Sequence, residues 1–194
     1  MGDAAKDRAK AAQLPEGDVI RVLLEQHARI RELFADVKSA TGQHKQQAFD
    51  ELRALLAVHE TAEEMVLRPV SKDVAGHSVA DDRNAEEKEA NVVLARLEGM
   101  DCGSVEFDNL LASFEQAVST HAEQEETLEF PAILSACDAD KRRDMGKAVK
   151  MAEKIAPTHP HPSAAGSPTA QWVVGPFASI VDHVKDALSG SGRG

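Results

Sequence analysis

Two stretches of the sequence carry the same arrangement of histidine, glutamate and proline. His59 and His121 are each followed by glutamates four and five residues later and by a proline ten residues later. Residues four apart on a helix are neighbours on one face, so His59 can meet Glu63 at one point, and His121 can meet Glu125. A carboxylate that faces the core is costly to bury unless it is paired or bound to a cation. The repeat therefore predicts a metal site built from two helices.

Apolar residues at helical offsets place further candidate donors in the same core-facing register. His27 has apolar side chains three and seven residues away in both directions, which is the setting of the two repeated histidines. In the third predicted helix Glu87 has the matching offsets, and Glu86 fits almost as well. His77, which precedes that helix, is the rival to Glu87 as its donor.

The candidate donors are all nitrogen and oxygen atoms. The set is His27, His59, Glu63, Glu87 or Glu86, His121 and Glu125. Six such donors from four helices suit iron or manganese better than a structural zinc ion, which prefers four ligands and often thiolates. Other glutamates near the repeats are expected on solvated helix faces: Glu60, Glu64, Glu123, Glu126 and Glu129. Glu60 is also a candidate ligand, because it directly follows His59.

Four long segments with helical periodicity must position these donors. They run from about Asp18 to Ala40, Gln43 to Arg68, Ser78 to Gly99 and Ser104 to Phe130. Ser78 and Asp81 form a candidate capping pair, Pro69 is expected to end the second helix, and Pro131 lies beyond the end of the fourth. Short polar loops join the segments, and no alternating pattern of strand type competes. The sequence therefore predicts an all-α fold, an up-down four-helix bundle.

The predicted bundle is followed by a helical extension. We assign residues 15–136 to the bundle and residues 137–194 to the extension. The extension begins with a helix from about Asp138 to Ile155 and continues through a linker rich in proline, histidine and serine. An amphipathic tail helix from Gln171 to Leu188 is expected to pack on the bundle.

The composition excludes several classes of partner. The 194 residues carry a formal net charge of −11, which disfavours nonspecific binding to nucleic acid or anionic membranes. Two cysteines cannot form a disulfide framework, and neither a secretory leader nor an apolar membrane span is evident. We therefore expect a cytoplasmic protein. The absence of tyrosine removes tyrosine ligands and tyrosyl radical relays.

The segments that carry the donors resemble the hemerythrin-like, or HHE cation-binding, family. They read DVIRVLLEQHARIRELF, AVHETAEEMVLRP and THAEQEETLEFP, and the resemblance extends over about residues 18–136. The tail, THPHP followed by GPFASIVDHVKDAL, also resembles actinobacterial members. The resemblance implies two iron ions in an oxo- or hydroxo-bridged non-heme centre. It makes Glu63 and Glu125 the bridging carboxylates, and His27, His59 and His121 the terminal ligands.

The sequence departs from the family in the third helix. The family usually has a histidine early in this helix, where this chain has Glu86, Glu87 and Glu89. Either Glu87 replaces the histidine or one iron ion is short of a protein ligand. In some members the residue after the second-helix histidine is also a ligand, which would make Glu60 a donor. Both changes would make the site richer in carboxylate.

More carboxylate stabilises ferric over ferrous iron, whereas reversible O2 carriage needs a stable diferrous state. We therefore expect reaction with hydrogen peroxide or O2, catalase-like, in oxidative-stress or iron handling, with Glu60 or Glu64 relaying protons. The alternatives are reversible binding of O2 or NO, or iron sensing or sequestration without turnover. A homodimer formed through the tail helix is a further alternative that the sequence does not decide.

Overall fold

Every regular element in the described part of the chain is helical. The computed structural model describes residues 3–154, apart from the side chains of residues 77–81 and 84. The α-helices are α1 (Ala4–Ala11), α2 (Val19–Ser39), α3 (Gly42–Ala62), α4 (Arg68–Val74), α5 (His77–Glu98), α6 (Val105–Gln124), α7 (Phe130–Ala136) and α8 (Ala139–Glu153). Two π-helical turns, π1 (Glu63–Leu67) and π2 (Glu125–Glu129), join α3 to α4 and α6 to α7. The structure confirms the all-α bundle with a C-terminal helical extension. The predicted linker and tail helix lie outside the described residues.

Side-chain caps begin the first and the fourth of the long helices where the sequence predicts. The carboxylate of Asp18 accepts a hydrogen bond from the backbone N–H of Ile20, at 3.0 Å. The hydroxyl of Ser104 accepts one from the N–H of Phe107, at 3.1 Å. Each cap satisfies one of the amide groups that a helix leaves unpaired at its start.

The third long helix begins differently. Its cap is Gly76, whose φ of 102° belongs to the region that favours glycine, and α5 starts at His77. Ser78 therefore lies inside the first turn, so the predicted capping pair with Asp81 is wrong as a helix start.

The two prolines of the repeat do not end their helices, so the prediction for Pro69 is wrong and the fourth helix continues past Pro131. The residue before each proline donates its N–H to a carbonyl five positions back, that of Glu63 in one copy and Glu125 in the other. This π-helical bond shifts the helix by one residue, and each proline then lies in the first turn of a new α-helical segment, α4 or α7. A proline is tolerated there because the amides of the first turn need no partner within the helix.

The core consists of two apolar clusters with a polar layer between them. One cluster contains the start of α2, π1, and residues of α7 and α8, while the other contains the rest of α2 with residues of α3, α5 and α6. On α2, His27 lies between Leu24 of the first cluster and Ile30 of the second. The polar layer is therefore shielded from water by apolar side chains at both ends.

The short helices at the two ends of the described chain pack on the bundle. Helix α1, which the sequence analysis did not predict, contacts α2, and α8 contacts α2, α3 and π1. Gly146 of α8 lies so close to the turn before α2 that an added Cβ would be 2.0 Å from the carbonyl oxygen of Gly17. Among the described residues, none of the helices combines the length and apolarity needed to cross a membrane.

Candidate metal centre

Six of the seven predicted donors meet in the polar layer, where they form two overlapping groups. The first half-site is His27, His59, Glu63 and Glu125, and the second half-site is Glu63, Glu87, His121 and Glu125. In each group one ligand atom per residue lies within 4.8 Å of all the others. Glu63 and Glu125 belong to both groups, so each carboxylate is placed between the two half-sites.

The inward-facing nitrogens of the histidines lie near the shared carboxylates. Nε2 of His27 is 3.4 Å from one oxygen of Glu125, and Nε2 of His121 is 3.3 Å from the other. Nε2 of His59 is 3.5 Å from Glu63. Each of the last two pairs is the predicted i, i+4 pair on one helix face.

Several of these buried atoms have no hydrogen-bond partner among the described residues. They are Nε2 of His27, both carboxylate oxygens of Glu63, and one oxygen each of Glu87 and Glu125. Unpaired polar atoms of this kind are rare in protein cores, because each loses its hydration without compensation. Since they converge on shared points and offer only nitrogen and oxygen lone pairs, the donor set fits bound cations.

The outer nitrogen of each histidine points away from the centre to a hydrogen-bond acceptor. The Nδ1 pairs are His27 with Glu126 at 3.1 Å, His59 with the amide oxygen of Gln26 at 2.7 Å, and His121 with Glu86 at 2.9 Å. An acceptor at Nδ1 holds the proton there and leaves the lone pair of Nε2 directed inward. Metal-binding histidines in proteins are oriented in this way.

Burial shifts the pKa values of three of the donors, while attraction between His121 and Glu125 lowers the pKa of Glu125 and raises that of His121. Burial, together with the charge of Glu125, raises the pKa of Glu63 well above its usual value. Burial likewise raises the pKa of Glu87 to about 7, although the charge of Arg68 opposes it. Burial lowers the pKa of His59 to about 3, which keeps this imidazole neutral. A cation bound here would reduce the repulsion between Glu63, Glu87 and Glu125. His59 lies beside these acids as a neutral nitrogen donor.

Comparison with known proteins identifies the family of this chain. The sequence pattern of the hemerythrin HHE cation binding domain matches residues 18–133, which contain every donor of both half-sites. The chain belongs to the hemerythrin HHE cation-binding family. A hemerythrin-like protein of Schizosaccharomyces pombe is 22% identical over 170 residues, covering 86% of this chain and 84% of the relative.

A solved structure shows the same fold. It is the crystal structure of a hemerythrin HHE cation-binding domain-containing protein from Mycobacterium kansasii, which matches with a TM-score of 0.60 at 21% identity. The match covers 83% of this chain and 95% of that one. The HHE fold therefore includes more of this chain than the residues that carry the donors.

The remaining candidates from the sequence lie outside both half-sites. Glu60 is buried and accepts a hydrogen bond from the amide of Asn91 at 2.6 Å, but it belongs to neither group. Glu86 has a side chain that is 40% exposed and acts as the acceptor for His121, whereas its neighbour Glu87 is buried. The side chain of His77 lies outside the described residues.

Besides Glu60, three more of the glutamates expected on solvated faces are in fact shielded from solvent. Glu64 and Glu129 are buried, and only 4% of the side chain of Glu126 is exposed. Glu126 is covered because Lys10 of α1 and Arg31 of α2 bind its carboxylate. Periodicity could not reveal this contact, because α1 was not predicted. Glu123 is exposed, as expected.

Arg68 is a buried cation that sequence reasoning missed. Its Nη1 donates to both oxygens of Glu129, at 3.0 and 2.9 Å, and the hydroxyl of Ser71 donates to the same carboxylate. Its Nη2 donates to Glu87 and lies 3.3 Å from an oxygen of Glu125. The available signal was its place in the repeat, one residue before a proline. Arg68 therefore brings a positive charge to the second half-site.

The equivalent residue in the other copy of the repeat is apolar. Phe130 also directly precedes its proline, and its ring stacks on the imidazole of His27 with 5.6 Å between the ring centroids. The two half-sites of this HHE domain therefore share their carboxylates but have different surroundings, one aromatic and one cationic.

Proposed function

We propose that this chain is a non-heme di-iron protein that reacts with hydrogen peroxide or O2, most simply as a catalase-like enzyme. One observation carries the proposal: two groups of four donors share Glu63 and Glu125. This arrangement supports two iron ions, with His27 and His59 on one and His121 and Glu87 on the other. Iron bound in this way supplies Lewis acidity and redox chemistry.

The chemistry of the donors supports turnover over reversible oxygen carriage. The second half-site has Glu87 where hemerythrin-like proteins usually have a histidine, so a hard anionic oxygen replaces a neutral nitrogen. Such donors favour the ferric state, while carriage of O2 depends on a stable diferrous state. The carboxylate-rich half-site is therefore suited to a protein that exchanges its small-molecule ligands during reaction.

Glu60 is positioned to hold a proton beside the donors. Burial and the charge of Glu87 raise its pKa well above the usual value, and Asn91 fixes its carboxyl group. A carboxyl group with a raised pKa keeps a proton that it can donate as a general acid. We assign Glu60 the role of proton relay for hydrogen peroxide that enters the centre.

The proposed setting is the cytoplasm, with hydrogen peroxide, O2 or NO as the reacting molecules and with neither nucleic acid nor membrane as a partner. The free, buried thiols of Cys102 and Cys137 support a reducing compartment, and the net charge of −11 supports the exclusion of polyanions.

Metal analysis of the purified protein, combined with its optical spectrum and an oxygen electrode, tests the proposal. We expect two iron ions per chain and rapid release of O2 when hydrogen peroxide is added. His59→Ala should lower both the iron content and the release of O2, while His44→Ala, which changes an exposed histidine on the same helix, should alter neither.

Other results would contradict this function. Zinc in place of iron, or one metal ion per chain, would exclude the di-iron centre. Two iron ions with a stable diferrous form and little release of O2 would indicate reversible binding of O2 or NO. Iron that exchanges readily and controls folding would indicate sensing or sequestration.

A further inference from the structure

A cavity of about 520 Å³ lies among α2, α3, α5 and α6, on one side of the donor layer. At its inner end it is lined by His27, His59, Glu60, Glu87 and His121. Most of the remaining buried wall is apolar and includes Ile30, Phe34, Leu56 and Phe114, with the partly buried Val93 beside them. Exposed residues such as Glu89 and Gln116 also line the cavity and mark its rim. The cavity thus connects an apolar interior to the metal donors.

This volume is much larger than the proposed reactants need. Hydrogen peroxide and O2 are little larger than a water molecule, which takes about 30 Å³ in the liquid. Cavities of about 300–1,000 Å³ with apolar walls and a few convergent polar groups are typical of sites for organic ligands. The apolar wall also offers no partner that would hold a cluster of water molecules in place.

We propose that the cavity binds an amphipathic organic molecule with an apolar chain and an anionic oxygen head group, such as a carboxylate. The chain would lie against Phe34, Leu56 and Phe114, and the head group would meet the cations at the inner end. This inference rests on the proposed metal centre for its head group, whereas the apolar part of the site depends only on the cavity.

The charge at the inner end of the cavity provides a test of the proposed preference for an anionic head group over an uncharged one. Glu60 and Glu87 line the cavity, and the donors Glu63 and Glu125 lie just behind it. Without bound cations the inner end offers an anionic head group only carboxyl groups, which do not attract it, and with bound cations it offers positive charge. Binding of a carboxylate must therefore depend on the metal, while binding of an uncharged alcohol of the same length must not.

Isothermal titration calorimetry of the full chain with decanoate and decanol tests this prediction. We expect saturable, one-to-one binding of decanoate to the metal-loaded protein, at least tenfold tighter than to the metal-depleted protein. Decanol should bind equally to both forms. Val93→Trp fills the cavity without changing a donor, so it should weaken binding of both molecules at least tenfold while the metal content stays unchanged.

The matched control is Val92→Trp, because the neighbouring Val92 is 53% exposed and does not line the cavity; it should leave binding unchanged. If Val93→Trp does not fold, Ala90→Leu places a smaller obstruction in the same wall.

The inference is overturned if neither decanoate nor decanol binds saturably to metal-loaded protein, or if both bind Val93→Trp as tightly as the unaltered chain. If decylamine binds the metal-loaded protein more tightly than decanoate does, the prediction of an anionic head group is wrong. A chain that contains no metal would contradict the proposed function instead, and decanol would still report on the apolar cavity.

Discussion

The first and second half-sites are built from two copies of one sequence motif, yet the residue before each proline makes them chemically different. Phe130 stacks on His27 of the first half-site, so that histidine is supported by an apolar surface. Arg68 reaches Glu87 and Glu125, so the second half-site contains a guanidinium that competes with any cation for the charge of the same two carboxylates. A sequence repeat can thus preserve the donors while a residue in the next turn of the helix changes how strongly those donors bind cations.

This difference implies that cations bind in two steps, first at the first half-site. The second cation must approach the charge of Arg68, which already binds one oxygen of Glu87 and one of Glu125. Arg68 cannot move away easily, because Glu129 accepts two hydrogen bonds from it and is itself bound by Ser71. The following changes test the comparison, beginning with the largest expected effect.

Glu63→Ala removes a carboxylate that both half-sites share, whereas Glu87→Ala removes one that belongs to the second alone. We expect the metal content to fall from two ions per chain to nearly none in the first variant, and to one in the second. Elemental analysis after dialysis measures both. Two ions retained by Glu63→Ala would show that the two half-sites do not depend on this shared bridge.

Glu126→Ala and Glu86→Ala each remove the acceptor that orients one histidine. Loss of such a partner typically lowers metal affinity by about 10- to 100-fold. We expect Glu126→Ala to weaken the first binding step and Glu86→Ala the second, with the smaller effect at the half-exposed Glu86. Stepwise titration with Mn²⁺, followed by electron paramagnetic resonance of the free ion, separates the steps. If both variants weaken the same binding step, the assignment of Glu126 to the first half-site and Glu86 to the second is wrong.

Replacing Arg68 by methionine and Glu129 by glutamine together removes the guanidinium without leaving a buried carboxylate unpaired. Because a competing charge is lost, the second Mn²⁺ ion should bind on the order of tenfold tighter, which corresponds to about 1.4 kcal/mol. Arg53→Met is the control, since this largely buried arginine on α3 pairs with Glu98, away from the centre. A weaker second step in the double variant would mean that Arg68 supports the second cation.

Phe130→Leu should have the smallest effect. It removes the ring stacked on His27 but keeps an apolar side chain, so we expect a loss of about 1 kcal/mol in the free energy of unfolding. The first Mn²⁺ affinity should fall only a few-fold, and the second should not change. Urea denaturation and the same titration measure these quantities, with Leu128→Ala as control, because Leu128 is 54% exposed. If the second Mn²⁺ affinity changes more than the first, the ring of Phe130 acts on the second half-site, which contradicts this prediction.

The sequence was sufficient to predict the bundle and most of the side chains that meet in the polar layer, because both depend on short-range spacing. His59 and Glu63 share a helix face at any point along a regular helix, and the apolar residues around His27 determine which side of α2 is buried. Glu87 could be selected over Glu86 only in the structure, because adjacent residues differ by about 100° around a helix and the sequence pattern tolerated both.

The second layer of the site could not be predicted, because it depends on contacts between distant segments. Glu126 lies beside a predicted ligand, but it is held by Lys10 from a helix 116 residues earlier in the chain. The directions of Arg68 and Glu129 depend on the π-helical turns, because Arg68 directly follows π1 and Glu129 is the last residue of π2. A period of 3.6 residues, extended through these turns, would assign them a different direction.

Each π-helical turn also adds one residue to a donor helix without changing the direction of the segment that follows. A π-helical turn contains one residue more than the α-helical turn it replaces, and both complete about one revolution. Deleting Met65 from π1 would therefore restore a continuous α-helical ladder in which Arg68 still faces Glu87. If the undeleted chain instead formed an α-helical ladder through π1, Arg68 would rotate by about 100° and turn away from Glu87. The buried guanidinium therefore reaches the second half-site only while the extra residue of π1 is held in the π-helical turn.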